Sequence, residues 1–187
     1  MKRWIKMTAV LVTGLMVLSV FFVWHLSDDK TAPYSGQDSR EIAALSGTDV
    51  EDLLAGRGWG LARPAELNGF PGPAHVLELS DALSLSSAQE VQVRLIKSEM
   101  TETAQALGAE YIAIEAALDD AFEQDTITED RLVQLTAEAA QVLAQLRNAH
   151  LIAHLKVTPL LSEEQIAIYN QKRGYGTHGA HSGHASH

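Results

Sequence analysis

His178, His181, His184 and His187 recur at intervals of three in a tail of glycine, alanine, serine and threonine. Neutral imidazole is a good ligand for Zn²⁺, Cu²⁺ or Ni²⁺, and a flexible segment spaced this way can wrap a metal ion without a preformed pocket. His150 and His154 form a second candidate. A spacing of four puts both rings on one helix face, where they can share an ion. His75 can bring a third nitrogen to them and Glu78, one turn on, an oxygen. The plainer readings are a low-complexity terminus and two helical histidines with no metal.

The elements that must position these residues are announced by a repeat. Leu85-Ser86-Ser87-Ala88-Gln89 and Leu161-Ser162-Glu163-Glu164-Gln165 write L-S-x-x-Q twice. In each, the serine caps free backbone N–H groups while the glutamine three positions on reaches back, a capping box behind a leucine that can staple the turn. After the first copy, Val93, Ile96, Met100, Leu107, Tyr111, Ile114, Leu118 and Phe122 recur at helical spacing, which predicts one long amphipathic helix. The pattern breaks over 123–128. Thr128 can cap a second helix, along which Leu132, Leu135, Ala139, Val142, Leu146, Ala149 and Ala153 form a coiled-coil-like seam.

A short connection between two long helices predicts an antiparallel hairpin, which would bring both L-S-x-x-Q turns to one pole, with His150 and His154 beside the seam there. A short helix over 74–83 is expected to lead into the hairpin, and another, through Ile166, Ile168 and Tyr169, to follow it and end near Gly174. Upstream, Asp38-x-x-Glu41 and Thr48-x-x-Glu51 are further capping boxes, the second opening a short helix through Leu53 and Leu54. The glycines and prolines of 57–73 predict turns, a strap whose Trp59, Leu61, Leu67 and Phe70 lie against the helices.

Ahead of all this, Lys2, Arg3 and Lys6 precede an apolar run from Met7 to Leu26, and Asp28 and Asp29 follow it. Twenty helical residues span about 30 Å, the thickness of a bilayer's hydrocarbon core. Cations before the run and acids after it place the remainder outside the cytoplasm, anchored in the inner membrane or released by cleavage. The expected organisation is therefore an anchor or signal sequence at 1–27, a polar strap at 28–73, an all-α helical hairpin domain at 74–175 and a flexible His-rich tail at 176–187.

Three of the 14 Lys and Arg residues precede the apolar run, leaving 11 against 24 Asp and Glu in a chain of net charge −10. Such a surface repels nucleic acid. With no cysteine, disulfides and thiolate metal sites are excluded. The chain also lacks G-x-S-x-G, P-loop, H-E-x-x-H and dinucleotide-turn motifs, so it reads as a non-enzyme. The acid pairs Asp119-Asp120 and Glu163-Glu164 are read as solvated helix starts, where negative charge suits the helix dipole.

Paired L-S-x-x-Q boxes bracketing a hairpin, behind an export signal and without cysteine, resemble the LTxxQ-motif family of periplasmic proteins over about Ala74 to Tyr175. That family includes the Spy and CpxP chaperone-like proteins, the zinc resistance-associated protein and membrane-anchored nickel/cobalt sensors. The motif residues here are Leu85, Ser86 and Gln89, with Leu161, Ser162 and Gln165, serine standing where the family often has threonine. The resemblance implies a homodimeric, curved all-α cradle acting without nucleotide in the envelope stress or metal response. One implied function is an ATP-independent, metal-binding chaperone-like modulator that holds unfolded envelope proteins or a sensor kinase domain. The other is a membrane-anchored heavy-metal sensor acting on an anti-sigma or sensor-kinase partner. Spy-like chaperones present a basic concave face, whereas this chain is acidic. The sensors place a methionine on the late helix, and none stands near Val157 here, which favours Zn²⁺ or Cu²⁺ over Ni²⁺.

Overall fold

The computed structural model describes residues 32–175, and these are predominantly helical with no strands. The all-α expectation is met. The chain divides between Ser39 and Arg40 into two compact units, and residues 40–73 fall in the same unit as the helices that follow. Of the first unit, residues 32–39 are turns, and the expected Asp38 capping box starts no helix. The apolar run Met7–Leu26 and the histidine tail lie outside the described residues. Among the described residues no helix is long and apolar enough to cross a membrane.

The second unit opens with α1 (Gly47–Leu54), capped by Ser46 rather than Thr48. Asp49 accepts from the Ser46 backbone N–H at 2.9 Å and from its hydroxyl at 2.5 Å, closing the box two residues earlier than the Thr48–Glu51 reading. These bonds, the hydroxyl's foremost, hold the Asp49 carboxyl below its usual range. A single turn, α2 (Arg63–Glu66), interrupts the predicted loop. The helix expected over 74–83 is two, α3 (Pro73–Glu78) and α4 (Ser80–Leu83), separated at Leu79, whose φ of −100° and ψ of 14° leave the helical basin.

The long helices are α5 (Ser87–Glu123) and α6 (Glu129–Val157). With 37 residues, α5 is about 55 Å long. The two helices meet in reversed order: Glu99 of α5 bonds Lys156 of α6 at 3.1 Å, whereas Ile114 and Ala117 line a groove with Leu135 and Val142. The buried seam of α6 is Leu135, Ala139, Val142, Leu146, His150, Ala153, His154 and Val157. His150 thus sits in the seam, not beside it. At the other end of the pattern, Phe122 is 54% exposed. Asp119-Asp120 lies in the last turns of α5 instead of at a helix start, and there Asp119 accepts the Ala43 backbone N–H at 3.1 Å. Thr158–Leu160 forms a 3₁₀ turn before α7 (Glu163–Arg173), which Gly174 ends in the left-handed region.

Two apolar cores result. At the motif end, Val76, Leu83, Val93, Val157, Leu161 and Tyr169 are buried together. Further along, Ile42, Leu45 and Leu53 pack on Ala104 and Leu146. The second contact depends on Gly108: a Cβ there would lie 2.5 Å from the Leu53 carbonyl oxygen, so only glycine lets α1 cross α5 so closely.

Candidate ligand site beside the motif pole

The two motifs interlock. Ser86 and Ser162 each cap their helix through the N3 backbone N–H, and each N-cap N–H returns a bond of 2.9 Å to its own glutamine, Gln89 or Gln165. The two glutamines then exchange bonds. Gln89 Nε2 donates to the Leu160 carbonyl at 2.7 Å and to Gln165 Oε1 at 2.9 Å. Gln165 Nε2 donates to the Leu83 carbonyl at 3.1 Å and to Gln89 Oε1 at 3.3 Å. Both amides are fully satisfied, and the arrangement is nearly two-fold symmetric. An amide with all its bonds made adds net stability, whereas a half-paired one would cost desolvation. Leu85 and Leu161 staple the turns from inside the pole core.

Next to this clasp the 57–73 segment roofs a cavity of about 600 Å³ over α5 and α6. His75, His150 and His154 all line it, together with Glu66, Trp59, Met100, Arg63 and Lys97. Their hydrogen bonds assign different roles to the rings. His154 Nδ1 donates to the Phe70 carbonyl at 2.8 Å, leaving Nε2 with its lone pair. A Cβ on Gly72 would lie 3.0 Å from that Nε2 and 2.8 Å from Glu66 Oε1, so the missing side chain leaves the notch between them open. Glu66 in turn accepts the Tyr169 hydroxyl at 2.9 Å, and that hydroxyl accepts the Gly72 N–H at 3.3 Å. Burial, with the Glu66 charge, pushes the Tyr169 phenol up.

His75 is committed elsewhere. The Arg173 guanidinium donates to its Nε2 at 3.1 Å, which leaves the ring proton on Nδ1, 2.9 Å from Glu78. That bond holds the Glu78 carboxyl below its usual value. His150 is only 2% exposed, and its Nε2 is buried without a partner. Burial, and secondarily the neighbouring His154, pull its pKa down, so the ring is neutral at neutral pH.

Three of the four expected pole ligands, His75, His150 and His154, therefore line the cavity without converging, and Glu78 lies outside its lining. Among the described residues no group of three or more histidine and carboxylate side chains is placed to hold a metal ion. His154 Nε2 and Glu66 flank the Gly72 notch, and Glu66 went unremarked in the sequence because nothing local marks it. His178, His181, His184 and His187 lie outside the described residues.

Trp59 was expected to pack on the helices; what its sequence did not show is its backbone. Its φ is +42°, uncommon for a bulky residue and costing about 1–3 kcal/mol. Its indole N–H donates to Asp49 at 2.8 Å, and its ring meets Tyr111 at 6.0 Å, which fixes the side chain at the cavity wall. The Tyr111 phenol is pushed up to about 12 by burial and by Glu115. Compared with family models, curated proteins and solved structures, the chain matches none.

Proposed function

We propose that this protein is an extracytoplasmic, ATP-independent chaperone-like modulator of the LTxxQ type, metal-binding and without enzymatic activity. The observation that carries the reading is the reciprocal Gln89–Gln165 clasp, because it gives the repeated motif a joint structural purpose that two unrelated helix starts would not need. The long α5–α6 pair supplies the working surface. Val91, Leu95, Ile152 and Leu155 stand about half exposed or more on the pole half of these helices and offer apolar contact to unfolded chains. Metal, Zn²⁺ or Cu²⁺, belongs chiefly to His178, His181, His184 and His187, since His75 is engaged by Arg173 and Glu78 and His150 is buried. Homodimerisation and the inner-membrane anchor are part of the same proposal.

A metal sensor coupled to a membrane partner is the second reading, favoured by the apolar run Met7–Leu26. One experiment separates them. Aggregation of a denatured client is followed with the full chain and with a chain truncated after Tyr175, and Zn²⁺ is titrated calorimetrically into both. Suppression that survives truncation, with metal affinity lost, supports the chaperone reading. No suppression, combined with a tight one-per-protomer site that survives truncation and vanishes in His150→Ala/His154→Ala, replaces it with the sensor.

A further inference from the structure

We propose that the roofed cavity binds a small organic anion: a carboxylate head on a compact, ring-sized apolar body. The charge layout points there. In a chain of net charge −10, the exposed residues of the cavity rim include Arg57, Arg63 and Lys97, while among the described residues Glu66 is the one carboxylate in its lining. Arg57 is paired with Asp52, and Glu66 is engaged by the Tyr169 hydroxyl. Among the described residues Arg63 and Lys97 have no ion-pair partner, so the rim presents two permanent cations. An acidic protein that concentrates unpaired cations around one opening attracts anions to it, and low-dielectric walls strengthen that field.

The interior supplies the other half. Its buried lining holds no acid and no permanent cation: Gly56, Gly72, Pro73, the neutral His150, and His154, whose Nδ1 donates to the Phe70 carbonyl. Trp59 and Met100 add half-buried apolar surface. A volume near 600 Å³ lies in the range of small-molecule pockets, which combine apolar walls with a few placed polar groups. Two features carry a cost that folding alone leaves unexplained, the left-handed backbone of Trp59 and the unpartnered Nε2 of His150. Both belong to residues of this lining. A strained backbone and an unmet polar atom lining one cavity fit a ligand site.

The anion's head is placed at Lys97 and Arg63, its body against Trp59 and Met100. The site is independent of the histidine tail and of the chaperone reading.

The test uses the full chain in lipid nanodiscs, with empty nanodiscs as the blank, and calorimetric titration of 3-phenylpropionate, 3-phenylpropanol and inorganic phosphate. The acid is expected to bind one to one, more tightly than the alcohol, with phosphate weaker than both. Lys97→Glu and Arg63→Glu, both at exposed positions that leave the cores intact, should each weaken the acid about tenfold or more, the range for loss of a charge-assisted bond. Arg94→Gln, outside the cavity lining, should leave it unchanged. Absence of acid binding at millimolar concentration would overturn the proposal. So would equal affinity for acid and alcohol, preference for phosphate, or indifference to both charge reversals.

Discussion

The core at the motif pole joins its helices through side-chain amides, whereas the core around Leu53 joins them through backbone pressed against backbone. At the pole, Gln89 and Gln165 satisfy each other and the carbonyls of Leu160 and Leu83, which are far apart in the sequence. Around Leu53, the fit rests on glycines: a Cβ at Gly108 would meet the Leu53 carbonyl at 2.5 Å, and one at Gly56 the Thr101 carbonyl at 2.9 Å. The difference teaches where each core is vulnerable. A clasp of hydrogen bonds fails by losing an atom, a close approach by gaining one.

The largest effect is therefore expected from an addition. In an ordinary helix interior Gly→Ala gains about 1 kcal/mol. Gly108→Ala should instead lose about 2 kcal/mol, because a rigid backbone oxygen occupies the methyl's place and overpacking of this kind outweighs the propensity gain. Urea denaturation followed by circular dichroism measures it, and a variant more stable than the parent would mean that α1 does not cross α5 at this point.

Next come the caps. Ser86→Ala and Ser162→Ala should each lose about 1 kcal/mol, the usual value of a serine N-cap. Ser46→Ala in the other core should lose a similar amount and also loosen Trp59, since Asp49 binds both. Thermal unfolding gives the losses and tryptophan emission the loosening. A red shift in Ser46→Ala that is absent from Ser86→Ala is the expected contrast.

The smallest effect at neutral pH is expected at His150, which occupies a seam position that leucine would suit. His150→Leu should gain about 0.5 kcal/mol by removing an unpartnered buried nitrogen, less the strain of a new shape. The folded pKa of His150 lies below its unfolded value, so the unfolded chain takes the proton first. Its contribution is present above about pH 6.5 and is lost as pH falls below that toward and through the depressed folded value. His150→Leu should flatten this part of the stability profile. An unchanged slope between pH 6.5 and 5 would show that the ring is not desolvated.

Much of the pole was legible in the sequence because its chemistry is local. Ser86 to Gln89 and Ser162 to Gln165 specify capping boxes within four residues, and the apolar steps along α5 and α6 specify helices. The Leu53 core was not legible in the same way. Gly108 reads as a weak point in a helix until Leu53 is known to lie on it, and Ser46 competes with Thr48 for the same cap. Among site residues, the His150–His154 spacing was visible, but not that Phe70 and Arg173 take up His154 Nδ1 and His75 Nε2 from 84 and 98 positions away. Glu66 and the backbone of Trp59 likewise acquire meaning only from distant partners.

The reciprocal glutamine pair is tested most directly by a double-mutant cycle. Stability is measured for the parent, Gln89→Ala, Gln165→Ala and the double variant. Residues sharing a hydrogen-bond network couple by about 0.5–3 kcal/mol, and the account predicts a coupling in that range between positions 76 residues apart. Strict additivity, with no coupling beyond error, would contradict it.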